Sequence, residues 1–207
     1  MKLIHPAYFP NIVTFSYILH HPILWEVEDN YQKQTYRNRT YICTDRGKHL
    51  MSIPIVHVGK NNGRQKYKEV ALDNSYPWQR QHWRTLETAY RTSPFFEFYE
   101  DDLKPLYTNS FELLLDFNLK TIATIFESLQ LEMPKATSTT YEVEPTNKTD
   151  YRFLVNAKTN NEPTMEPYVQ VFGGRHGFIP NMSILDLLFN EGPNSVAYLK
   201  QEFHPKK

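Results

Sequence analysis

Gly177-Phe178-Ile179-Pro180-Asn181-Met182-Ser183-Ile184-Leu185-Asp186-Leu187-Leu188-Phe189-Asn190-Glu191-Gly192-Pro193 specifies a helix together with both of its ends. Ser183 followed three residues later by Asp186 reads as a capping pair at the helix N-terminus. The apolar run Ile184 to Phe189 supplies a buried body, Gly192 a left-handed stop, and Pro193 a bar to continuation. Ser183 is thereby accounted for as a cap, not a nucleophile.

Working outward, the N-terminal half reads as strands and the C-terminal half mainly as helices. Residues 2–5 are apolar enough for a short strand, which Pro6 and Pro10 turn. Residues 12–20 carry Ile12, Val13, Phe15, Ile18 and Leu19 at helical spacing. Strands are predicted over 23–28, 35–44, 50–56 and 67–72, with Gly47 and the run from Gly59 to Gly63 as turns. Ser75-Tyr76-Pro77 opens a helix that runs to about Arg91, before Ser93-Pro94. A second apolar stripe over 119–129 predicts a helix that Asn118 could cap. Residues 137–143 suit a strand, and the polar stretch 156–167 a mobile loop. These elements predict an α/β (or α+β) protein, a single domain over 1–207 with a mixed β-sheet packed against helices.

Bulk properties narrow the function classes. Lys+Arg 23 balance Asp+Glu 23, so no net field draws nucleic acid or an anionic membrane. The one cysteine, Cys43, excludes an internal disulfide framework and reads as a small core hydrophobe. No apolar run reaches membrane-spanning length, and residues 1–6 lack a signal-peptide core, so a cytoplasmic setting without membrane insertion is expected. Glycine-rich phosphate loops, GxSxG elbows and HExxH pairs are absent from the sequence, and no feature names a cofactor.

Three segments could carry chemistry. His5-Pro6-Ala7-Tyr8-Phe9-Pro10 follows the first strand, where ligands of open α/β sheets sit, which favours His5 and Tyr8. The alternative is a proline-stiffened turn whose aromatics plug the core. Asp29 to Arg39 concentrates polar and basic groups; a strand over 35–44 would put Arg37, Arg39, Tyr41 and Cys43 on one face. Two guanidiniums there could grip a phosphate or carboxylate, or could be a solvated surface. His82 shares a helical stripe with Trp78 and Leu86, as a hydrogen-bonded core histidine or, if it opens on a pocket, a general base. Convergence of His5, Arg37, Arg39 and His82 on one cleft is the expectation that would mark an enzyme.

With these segments quoted, the chain resembles the WbqC-like protein family of bacteria. The likeness lies in His5-Pro6-Ala7-Tyr8-Phe9-Pro10, Gln32 to Arg39, Trp78 to Tyr90 with Pro94-Phe95-Phe96, and the run from Gly177 to Gly192. It covers about residues 4–199. Many members carry glutamine where this chain has His5, and an aromatic-glycine turn where it has residues 11–16. The resemblance implies a link to surface-polysaccharide (O-antigen) gene clusters and transfer of glycine, or a similar aminoacyl group, to an amino sugar. On that reading the partner is a nucleotide-sugar or related anionic small molecule, and the acyl donor is unnamed. Arg37 and Arg39 would hold the diphosphate, with Tyr8, Asp29 and Trp78 beside it. His82 or His5 would take the proton as the sugar amine attacks an activated acyl carbon. A non-catalytic sugar-nucleotide or partner-binding module is the alternative.

Overall fold

In the computed structural model, which describes residues 1–57, 64–158, 164–201 and 203, five short strands divide between two small sheets. They are β1 (Lys2–Ile4), β2 (Ile23–Trp25), β3 (Arg39–Thr44), β4 (Gly47–Ser52) and β5 (Thr149–Asp150). β1 is central in a parallel sheet of order β2-β1-β5, with Leu3 opposite Leu24 and Asp150. Such a strand is covered on both faces, so Leu3 and Ile4 are both buried and read as an unbroken apolar run. β3 and β4 form an antiparallel hairpin, Arg39 opposite Ser52 and Thr44 opposite Gly47. Gly47 has φ +87°, the left-handed conformation that closes so tight a turn. The predicted α/β class with both strand senses therefore holds, but the senses are separated into two sheets.

Eight helices appear among the described residues: α1 (Ile12–His20), α2 (Trp78–Tyr90), α3 (Phe96–Leu103), α4 (Pro105–Thr108), α5 (Leu114–Ser128), α6 (Gly173–His176), α7 (Ile184–Glu191) and α8 (Ser195–Leu199). α1 crosses from β1 to its parallel neighbour β2, and Asn11 caps it by accepting the Thr14 N–H at 2.9 Å. Residues Ile12 to Ile18 are all buried, as expected of a helix apolar on every face. One hydrophobic cluster joins residues of β1, α1, the hairpin, α2, α5 and α7. None of the described helices is long and apolar enough to cross a membrane.

Several boundaries differ from the sequence reading. The strand expected over 23–28 ends at Trp25, because Glu26 turns its carboxylate inward to accept from Ser138 Oγ at 2.9 Å. The one expected over 35–44 begins only at Arg39, and that over 50–56 runs instead from Gly47 to Ser52. Residues 67–72 are not a strand: Tyr67–Glu69 is a 3-10 turn that carries the Tyr67 hydroxyl to the Pro6 carbonyl at 2.8 Å. In 137–143 only Thr137 bridges to Trp25. Asn118 does not cap α5; it lies inside the helix, fully buried, because α5 starts at Leu114. The expected turn over 59–63 and residues 159–163 of the expected loop lie outside the described residues.

α7 keeps its expected ends. Ser183 Oγ accepts the Leu185 N–H at 3.3 Å and donates to the Phe9 carbonyl at 3.2 Å. Gly192 has φ +54°, and a Cβ there would meet the Phe95 ring at 2.5 Å, so both conformation and space demand glycine. Asp186, expected to complete the cap, turns inward instead. Its carboxylate accepts from Tyr90 Oη at 2.7 Å, Tyr168 Oη at 2.5 Å and Gln170 Nε2 at 2.8 Å. Burial raises its pKa, and the three hydrogen bonds work against that rise. Ser183→Ala is expected to cost about 1 kcal/mol in denaturant unfolding, the usual loss for a helix cap, while ligand binding is unchanged. A fully folded variant that lost turnover would return Ser183 to the list of nucleophiles.

Candidate functional site

The loops leaving the carboxyl ends of β1 and β2 meet at one point. His5, directly after β1, sets its Nε2 at 2.9 Å from Asp29 Oδ2, which follows β2. Arg37 NH2 reaches the same carboxylate oxygen at 3.1 Å and lies 2.7 Å from His5 Nε2. Asp29 calls for a proton on Nε2, whereas the Arg37 N–H calls for a lone pair there; the first arrangement puts the proton on Nε2, donated to Asp29. The imidazole lone pair is then on Nδ1, which is buried and has no hydrogen-bond partner.

The triad is tightly held. Arg37 NH1 donates to the Asn30 carbonyl at 2.9 Å, and the guanidinium carbon lies 5.1 Å from the Tyr67 ring centroid. Asn118 Nδ2 donates to both the Arg37 carbonyl and Tyr67 Oη at 2.6 Å. Burial lowers the His5 pKa to about 4; the Arg37 charge adds to this and the Asp29 hydrogen bond opposes it. Burial would raise Asp29, but the His5 hydrogen bond and the His5 and Arg37 charges outweigh it and leave the pKa below its ordinary value. At neutral pH the site thus holds a carboxylate, a guanidinium and a neutral imidazole.

His5, Asp29 and Arg37 line a cleft of about 390 Å³ whose outer part carries Lys33, Lys158 and Arg152. Four cationic side chains thus line it against a single carboxylate. Arg152 is committed locally, to Asp150 through two bonds of 2.9 and 2.7 Å and to the carbonyls of Glu142 and Val143. Its guanidinium carbon lies 5.2 Å from the ring centroid of Tyr141, a partly exposed aromatic on the cleft wall. Lys33 and Lys158 are exposed and carry no ion pair among the described residues. Such a lining has an excess of positive charge beside one aromatic face.

The other sequence candidates lie elsewhere. Tyr8 Oη is 2.9 Å from both His82 Nδ1 and Tyr107 Oη, in a buried cluster where Trp78 meets His82 edge-on at 5.3 Å. Burial lowers His82 to about 4, opposed by a hydrogen bond to the Ser52 backbone. Tyr8, Trp78 and His82 do not line the His5 cleft, nor does Arg39. Arg39 is on the hairpin, whereas Arg37 precedes it and is 1% exposed, so the alternation expected to align them does not apply. The structure thus places His5, Asp29 and Arg37 at one cleft, Tyr8, Trp78 and His82 in the core, and Arg39 on β3. Lys33 was legible only as part of a polar run, and Tyr141, Arg152 and Lys158 carried no sequence signal because folding alone brings them to β1.

The chain is 28% identical to the uncharacterized protein Rv1507c of Mycobacterium tuberculosis (strain ATCC 25618 / H37Rv), over 82% of this chain and 84% of that protein. No solved structure gives a significant match. The family comparison spans the His5 turn, Asp29, the Arg37 segment and α2 through α5 together: the chain belongs to the WbqC-like protein family, whose model matches residues 5–162.

Proposed function

We propose that this protein is an acyl or aminoacyl transferase, with glycine as the simplest group carried, acting on a nucleotide-linked amino sugar in surface-polysaccharide (O-antigen) synthesis. The observation that carries the reading is His5: a neutral imidazole oriented by Asp29, with an unpartnered Nδ1, on the wall of a cation-lined cleft. In the reaction, the neutral sugar amine attacks an activated acyl carbon. The new C–N bond forms, the bond from the acyl carbon to its leaving group breaks, and the amine proton passes to His5 Nδ1 and then to the leaving group. No covalent enzyme intermediate is required. Lys33 and Lys158 bind the diphosphate, and Arg37, spent on Asp29 and the Asn30 carbonyl, positions the base. The negative charge of the bound diphosphate favours the imidazolium and raises the His5 pKa from its ligand-free value.

His5→Gln tests this. Glutamine can still donate to Asp29 but cannot take a proton, so nucleotide-sugar binding should persist while turnover falls by about 10²-fold or more. Retained turnover removes His5 as the base. A parent protein that binds no nucleotide-sugar removes the substrate class. The mutual pairing of His5, Asp29 and Arg37 favours one second reading, a non-catalytic sugar-nucleotide-binding module, which would bind without turnover in any variant.

A further inference from the structure

A second cleft, sharing no lining residue with the first, opens between the β3–β4 turn, the outer side of α2 and α6. It measures about 540 Å³ and is lined by Arg46 from the turn, Arg84 from α2 and Arg175 from α6. Asp45 is the single carboxylate in this lining, and its Oδ2 is 3.9 Å from Arg175 NH1, too far for a hydrogen bond. Arg46 and Arg84 have no ion pair among the described residues. The whole chain carries formal net charge +0, so three guanidiniums on one cleft are not a by-product of a basic composition. Convergence of like charges is unfavourable in itself, and a bound anion relieves it.

The walls are fixed while the arginines are not. His176 Nε2 lies 3.0 Å from the Thr44 carbonyl and ties α6 to the end of β3. Thr44 Oγ1 donates to the Gly47 carbonyl at 3.0 Å and accepts from Arg46 N at 3.3 Å, which sets the turn. Thr85 and Thr88 spend their hydroxyl protons on the Gln81 and Arg84 carbonyls at 2.8 Å, leaving the arginines as the strong donors. Phe172 adds an aromatic wall, 5.8 Å from the Arg175 guanidinium carbon. Guanidiniums on a braced frame match phosphate oxygens in pairs, which ammonium groups do not.

We infer that this cleft is a second ligand site, for a small phosphate-bearing molecule with an apolar or aromatic portion, independent of what the His5 cleft does. The probe is inorganic pyrophosphate, titrated calorimetrically into the full chain. Saturable binding is expected in a Lys33→Gln/Lys158→Gln background, which removes the diphosphate contacts proposed for the His5 cleft, and it should weaken about tenfold or more when Arg84→Gln/Arg175→Gln is added. Both arginines are exposed, so thermal unfolding should show the variant with the arginine pair replaced as folded as its background. Two results overturn the assignment: no saturable binding in that background, or binding indifferent to the arginine pair. Cosedimentation with phosphatidylglycerol vesicles, without pyrophosphate binding, would assign the arginines to a lipid headgroup and also overturn it. Loss of the transferase reading leaves these outcomes untouched, because the lysines of the His5 cleft are absent throughout the comparison.

Discussion

Asp29→Ala is expected to destabilise the protein by about 3–5 kcal/mol, the usual cost of removing one partner from a buried ion pair. The Arg37 side chain is 1% exposed and its NH2 group donates to Asp29 Oδ2. Without that carboxylate, a buried guanidinium whose Nε already lacks a partner is left with the neutral Asn30 carbonyl and the His5 ring and no counter-charge. His5 loses the acceptor for its Nε2 proton in the same step. Urea denaturation of parent and variant measures the loss. The double variant Asp29→Ala/Arg37→Met should recover part of it, because no buried charge is then left alone. A cost below about 1 kcal/mol for the single variant would mean that water reaches Arg37 and that the triad is not the closed unit described.

The second large effect is a loss of stability on acidification. Burial lowers both His5 and His82 from the ordinary histidine value of 6.5 to about 4. Between those two values the unfolded chain binds protons at both histidines that the folded chain refuses, so stability rises with pH across that window. The contribution is complete above about pH 6.5 and is lost as pH falls through about 4, on the order of 3 kcal/mol per histidine. Asp29, held below its ordinary value, acts in the same sense at lower pH. Asp186 acts oppositely: its raised pKa favours the folded state in acid and costs stability once it must ionise. Denaturant midpoints at about pH 7.5, 6.5, 5.5 and 4.5 check the sum, which should slope steeply below the histidine value. A flat profile would mean that the histidines ionise inside the folded protein.

Two helix termini that the sequence marked locally are where the structure follows it most closely. The Asn11 cap and apolar body of α1, and the Ser183 start and Gly192 stop of α7, are determined within a turn or two of chain. His5 was legible as a site residue for a similar reason, since a strand end fixes its place. Arg37 was named as well, but through a period-two alternation that presupposes a strand, whereas the chain at Arg37 is shaped by Asn118 and Tyr67 from distant segments. His82 was read both as a core residue and as a base. Its bonds to Tyr8 and the Ser52 backbone, which place it in the core, depend on contacts far apart in sequence. Asp186 looked like a cap by spacing alone, and only the approach of Tyr90 and Tyr168 turns it inward.

The first helix has its opening turn wired to the far end of the chain. The Ile12 N–H donates to the Met182 carbonyl and the Val13 N–H to Asn181 Oδ1, both at 3.0 Å. Asp186 in turn gathers Tyr90 from inside the family-matched region and Tyr168 and Gln170 from beyond it. The family model's edge at residue 162 is therefore no boundary of cooperativity. A fragment trimmed to that edge would leave the donors of α1 unpaired and the apolar seat of α7 open to water. In this protein, mechanical integrity is shared between the two ends of the chain.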